Sequence, residues 1–153
     1  MDSILIGAER PDSADAMELI AELEAYLEPQ YPAESRHGFS VDKLLREQVA
    51  FFVARQGGTA AGCGGVKLFG TDYGEVKRMY VRPAFRGRRL GTLILDQLAN
   101  HARAHGVNIL RLETGIYQTE AIALYTRWGF APIPPFGAYR EDPLSLFYEK
   151  RLG

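Results

Sequence analysis

Cysteine is nearly absent. Cys63 is the single one among 153 residues, which excludes an internal disulfide framework and a metal site built from several cysteines. Histidine is almost as scarce. His37, His101 and His105 are scattered, and although the last two have helical i, i+4 spacing, no acidic residue accompanies them, so they read as helix-surface residues and no metal is expected. Long hydrophobic runs are missing too. The N-terminal MDSILIGAERPDS lacks a basic start followed by an apolar stretch, and no run of about eighteen apolar residues occurs, so no membrane association or secretion is expected and the expected location is cytoplasmic. Charge of one sign is also lacking. A formal net charge of −1 excludes a large sequence-independent attraction to nucleic acid or anionic lipid. What remains is 46% hydrophobic and 24% charged residues, the balance of a soluble globular protein. The length matches one domain over residues 1–153.

Strand and helix signals alternate. Ser3 to Glu9 reads as a short strand stopped by Arg10-Pro11, and Asp12 or Ser13 caps a helix with Met17, Ile20, Leu23 and Leu27 on one face. Pro29 and Pro32 end it. A loop from Gln30 to Phe39 leads to a short helix capped by Ser40. Val49 to Gln56 and TAAGCGGVKLF are two antiparallel strands joined at Gly57-Gly58, a two-residue hairpin signal. Gly74 to Val81 is a further strand, a helix runs from Arg89 to His105 and stops at Gly106, and Asn108 to Glu113 is a buried strand. A helix from Thr119 to Trp128 stops at Gly129, and FAPI and LFYEKRL supply the last strands. Hairpins mixed with at least one crossover predict a mixed sheet flanked by helices.

The segment from Val81 to Thr92 (VRPAFRGRRLGT) leaves a strand, turns on small residues and enters a helix. Free backbone N–H groups at a helix start, made approachable by glycine and reinforced by the helix dipole and several arginines, suit a pyrophosphate. The run lacks the G-x-x-x-x-G-K-[ST] of a P-loop and the G-x-G-x-x-G of a dinucleotide fold.

The run from Arg86 to Gly91 (RGRRLG) resembles the GNAT signature Arg/Gln-x-x-Gly-x-Gly/Ala, with Arg89 standing at its first glycine. About thirty residues on, Gln118-x-x-Ala121-x-x-Leu124-Tyr125-x-x-Trp128-Gly129-Phe130 resembles the family's second signature, which opens on Asn where this chain has Gln118. The resemblance implies the GNAT acyl-CoA N-acyltransferase fold, an α+β three-layer α/β/α arrangement with a mixed, mostly antiparallel sheet of six to seven strands. It also implies acetyl-CoA as cosubstrate. Arg86, Gly87, Arg88, Arg89, Gly91 and Thr92 would hold its pyrophosphate, and Gln118 with the main chain of Tyr80 and Val81 its pantetheine arm. The amide of Met79 would face the oxyanion.

A protonated amine cannot attack a thioester, so a base must act directly or through water. Glu75, eleven residues before Arg86, resembles the catalytic glutamate of histone-type members, and strand alternation places it with Lys77, Met79 and Val81. Tyr125 resembles the general acid that protonates the leaving thiolate. The expected activity is N-acetyl transfer to a primary amine of a small molecule or amino acid by direct attack in a ternary complex. Acetylation of a protein amine and a non-catalytic acyl-CoA-binding module are the alternatives. A homodimer is plausible by resemblance.

Cys63, in the glycine-rich AGCGGV, reads as tightly packed rather than nucleophilic. The arginines at 78, 82, 86, 88 and 89 suggest a nucleic-acid patch, but thin aromatic interleaving and near-neutral charge favour a coenzyme phosphate, so no nucleic acid is expected. Phe136 and Tyr139, in the proline-rich segment 132–147, are candidates for lining an acceptor pocket.

Overall fold

Two-residue alternation along the central strands sets the layering. In β2 (Ala50–Gln56), Phe51 and Val53 pack into one apolar cluster and Phe52 and Ala54 into another, because successive strand side chains point to opposite faces. The computed structural model describes residues 3–153 and builds one seven-stranded sheet between these clusters, in the order β1-β2-β3-β4-β5-β7-β6. The other strands are β1 (Ile4–Ala8), β3 (Thr59–Phe69), β4 (Tyr73–Val81), β5 (Ile109–Gly115), β6 (Ala131–Pro132) and β7 (Ser145–Arg151). Among the described residues only β4 and β5 pair in parallel, since the chain between them is a crossover. The β2–β3 hairpin turns on Gly57 and Gly58, whose φ angles of 59° and 82° are the pair of positive values that a two-residue turn of type I′ requires.

Helices α1 (Ala14–Leu27) and α2 (Val41–Arg46) cover one face. The Ser13 hydroxyl accepts from Ala16 N at 3.1 Å, capping α1 as its sequence predicts. The buried stripe of α1 is Ala16, Leu19, Ile20 and Leu23, while Met17 is 48% exposed and Leu27 half-buried. The expected face is therefore rotated, because small Ala16 allows the helix to approach the sheet on that side.

Helices α3 (Leu90–Ala104) and α4 (Thr119–Trp128) cover the opposite face. Leu90, Ile94, Leu95, Leu98 and Ala102 of α3 are almost wholly buried over the sheet. Glycine in β3 permits this close approach, since a Cβ on Gly64 would lie 2.8 Å from Ile94 and 2.7 Å from the Met79 sulfur. No helix among the described residues is long and apolar enough to cross a membrane.

Candidate active site

The parallel register between β4 and β5 comprises Gly74↔Leu110 and Glu75↔Arg111, yet β4 continues to Val81 and β5 to Gly115. The strands part in mid-sheet. A bulge accompanies the separation: β3 residues 63 and 65 stand opposite β4 residues 80 and 77, so β4 carries one residue more. Arg78 sits there with φ of 54°. An extra residue increases local twist and bends the strand. It also shifts the alternation. Glu75 and Lys77 share one face as expected, but Met79 and Val81 pack on the α3 side and Tyr80 on the α1 side, correcting the uninterrupted alternation read from sequence. Beyond Glu75, main-chain groups of Met79, Tyr80 and Val81 on the β5 side have no strand opposite them.

A cleft of about 550 Å³ opens at this parting. It is lined by Met79, Tyr80 and Val81 of β4, by Gln118, Leu124 and Tyr125 on the α4 side, and by Arg86, Gly87, Arg89, Gly91 and Thr92 at the α3 entrance. Arg88 is the one sequence-predicted coenzyme residue outside it. Its guanidinium donates to Gln56 at 3.1 Å and lies over the Phe85 ring.

The entrance of α3 has the backbone character that an anion site needs. The first intrahelical bond runs from Leu93 N to Arg89 O, which leaves the amides of Leu90, Gly91 and Thr92 without helical partners. Arg89, at the signature's glycine position, adopts φ of 67°, and Gly87 has φ of 79°. The left-handed turn is thus kept despite the side chain. Gly91 serves packing, since a Cβ there would meet Leu124 at 2.7 Å.

Below the cleft a chamber of about 110 Å³ lies between the sheet, α1 and the loop that follows it. Leu23, Met79, Gln118, Ala121 and Tyr125 line both spaces. Glu75 is 4% exposed, with Oε2 3.0 Å from Lys77 Nζ and accepting from the Tyr139 hydroxyl at 2.5 Å. Lys77 is equally enclosed, and burial lowers its pKa despite Glu75. Tyr139 enters from the β6–β7 loop, and burial followed by Glu75 raises its pKa. Phe136 packs behind it against Tyr73 and Phe147 and does not line the chamber.

Glu113 is the carboxylate that sequence reading missed. It stands half-buried on β5, accepts from the Ser145 hydroxyl at 2.8 Å, and is pushed up to about 7 by burial. Its only sequence signal is its place at the end of the apolar run NILRLE. Tyr125 is buried, and burial followed by Glu113 raises its pKa. Its hydroxyl has no protein partner among the described residues but is not sealed from the cleft. Gln118 reaches both spaces, and its side-chain amide donates to the Tyr31 hydroxyl at 3.2 Å.

The remaining candidates have structural partners. Cys63 is fully buried, donates to Arg78 O at 3.3 Å, and is pushed up to about 12 by burial. Arg78 pairs with Glu24, Arg82 with Glu18 and Glu22, and Arg86 with Glu120, so most of the arginine cluster is neutralised locally. Among the described residues no group of three or more His, Cys, Asp or Glu is placed to hold a metal ion.

The sequence profile of the acetyltransferase (GNAT) family matches residues 15–130. An IAA acetyltransferase of Azospirillum brasilense is 46% identical over 153 residues, covering 99% of this chain and 100% of that one. A solved Klebsiella pneumoniae chain, assigned as an acyl-CoA N-acyltransferase, superposes with a TM-score of 0.83 at 38% identity, covering 98% of each. The PaiA N-acetyltransferase of Thermoplasma acidophilum, solved with coenzyme A, shares the fold with a TM-score of 0.73 at 22% identity over 97% of this chain and 98% of its own. The signatures, the parted strands and these matches lead to one assignment: the chain belongs to the GNAT family of acetyltransferases and is an acyltransferase.

Proposed function

We propose that this protein transfers an acetyl group from acetyl-CoA to the primary amine of a small molecule by direct attack in a ternary complex. The observation that carries this reading is the continuity of the two spaces. Tyr125 and Met79 line both the large cleft and the small chamber, so a donor in one and an acceptor in the other meet at those residues.

The residues fit the cosubstrate. Unpartnered amides at the α3 start, left-handed backbone at Gly87 and Arg89, and the positive charge of Arg89 would hold a diphosphate, with Arg86 beside them shared with Glu120, and the cleft volume lies in the usual range for small-molecule sites. Unpaired main-chain groups of Met79, Tyr80 and Val81 would receive the pantetheine arm, with Gln118 beside them. Bound there, acetyl-CoA supplies the activated acyl group.

Glu113 takes the proton of the acceptor ammonium. A base that titrates near 7 combines a useful ionised fraction with real proton affinity, and Glu113 is more open to the chamber than Glu75. Glu75, held by Lys77 and Tyr139, sets the charge and shape of the chamber. This assignment moves the base role expected of Glu75 to its neighbour on β5. The Met79 amide donates to the oxyanion as it develops, and such preorganised donors contribute strongly to acyl transfer. Tyr125 gives its proton to the departing thiolate as the C–S bond breaks, and the second proton, which the attacking nitrogen sheds as the amide forms, restores the phenol.

The test is release of free thiol from acetyl-CoA with and without a panel of amines. Amine-dependent release is expected. Release that is equal without amine would instead indicate a module that binds acyl-CoA without transferring the acyl group.

A further inference from the structure

Three cationic side chains line the chamber, and their hydrogen bonds separate them. Lys77 meets Glu75 at 3.0 Å, the Tyr139 hydroxyl at 2.9 Å and the His37 carbonyl at 3.2 Å, a partner for each of its three donors. Arg78 donates from Nε to Phe39 O at 2.9 Å and from Nη2 to Glu24 at 2.8 Å. Both serve to pin the loop against the sheet. Arg36 differs.

Its guanidinium carries five N–H donors and meets one protein acceptor among the described residues, Glu24 Oε1 at 3.0 Å through Nη1. Arg36 Nε is the one buried side-chain nitrogen or oxygen among the described residues without a hydrogen-bond partner. A buried donor left unpaired loses its hydration without return. Glu24 is also shared, since its other oxygen takes Arg78. One carboxylate thus faces two guanidinium groups. Arg36 comes from the loop after the turn Ala33–Ser35 rather than from the sheet, and it lines the same chamber as Glu113.

We infer that the acceptor is a free amino carboxylic acid whose carboxylate pairs with Arg36 while its amine lies at Glu113. The inference rests on the acetyl-transfer reading above and narrows it. A guanidinium fork matches a carboxylate in a bidentate manner, and pairing would supply the acceptor that Nε lacks. The chamber's small volume, closed on the loop side by the hydrogen bond of Ser35 to Asp142 at 2.7 Å, suits a compact acceptor. A protein N-terminus presents an uncharged amide where an amino acid presents its carboxylate, so the same contact selects against proteins.

The experiment measures thiol release from acetyl-CoA with the common L-amino acids, each set against its carboxamide. At least one acid is expected to exceed its amide in kcat/KM by about tenfold or more, the scale of a charge-assisted bond. An amino-acid amide has the less basic amine, so readier deprotonation cannot produce a bias toward the acid. In Arg36→Met the acid-to-amide ratio should collapse, chiefly through the KM of the acid, and Arg36→Lys should restore it in part because charge returns without the fork. Thermal stabilisation by acetyl-CoA reports that each variant is folded. Amides equal to acids, a ratio that survives in Arg36→Met, or no reaction with any acid would each overturn the inference. In that last case, release with phenethylamine or spermidine would leave acetyl transfer standing, whereas silence with every amine would remove both.

Discussion

Glu75 and Glu113 occupy the same face of neighbouring strands and yet have opposite chemistry, because one has a buried cation and a phenol at 2.5–3.0 Å and the other has only a serine hydroxyl. Glu113→Gln should lower kcat/KM by roughly 10²–10⁴, the usual worth of a general base. It should also abolish an ascending limb near pH 7, since only ionised Glu113 accepts a proton. The same substitution should stabilise the fold in alkali. A carboxyl whose folded pKa is raised penalises folding as pH climbs from the ordinary carboxylate range through 7, so removing it recovers on the order of 2 kcal/mol above pH 8, readable by urea unfolding at pH 5 and pH 8. Glu75→Gln should behave differently. It leaves Lys77 buried without its counter-charge, and a loss of roughly 3 kcal/mol is expected at neutral pH. Tyr125→Phe should reduce kcat while leaving acetyl-CoA affinity nearly unchanged, which steady-state kinetics beside calorimetric binding will separate.

Elements explain why some of this was legible in sequence and some was not. Caps, glycine stops and apolar periodicity are local, so Ser13, Gly57-Gly58, Gly106 and Gly129 mark real boundaries. The two signatures are local as well, and they led directly to the α3 entrance and to Tyr125. The bulge in β4 is a property of its pairing with β3, and its register shift has no counterpart in strand periodicity, so uninterrupted alternation puts Met79 and Val81 on the wrong face. Glu113 and Arg36 acquire meaning only when β5 and the α1–α2 loop converge on one chamber. Gly91 illustrates a further limit, since its signature position suggested phosphate and gave no sign that its Cα also abuts Leu124 on α4. Gly91→Ala should destabilise by about 1 kcal/mol, overpacking being partly offset by the better helix propensity of alanine. In a Leu124→Ala background that cost should shrink, a coupling that a double-mutant cycle measures.

At the scale of the whole molecule, the sheet divides the labour. Its α3–α4 face and the parted strands offer a long cleft ending in free amides, while its α1–α2 face closes a small charged chamber beneath the same opening. The central claim is that donor and acceptor enter from these two sides and meet beside Tyr125. Its most direct test is a crystal structure of the protein with bound acetyl-CoA. The diphosphate is predicted within hydrogen-bonding distance of amides between residues 87 and 92, with the thioester between Met79 and Tyr125. A diphosphate bound away from the α3 entrance, or a thioester directed away from the chamber, would contradict the account.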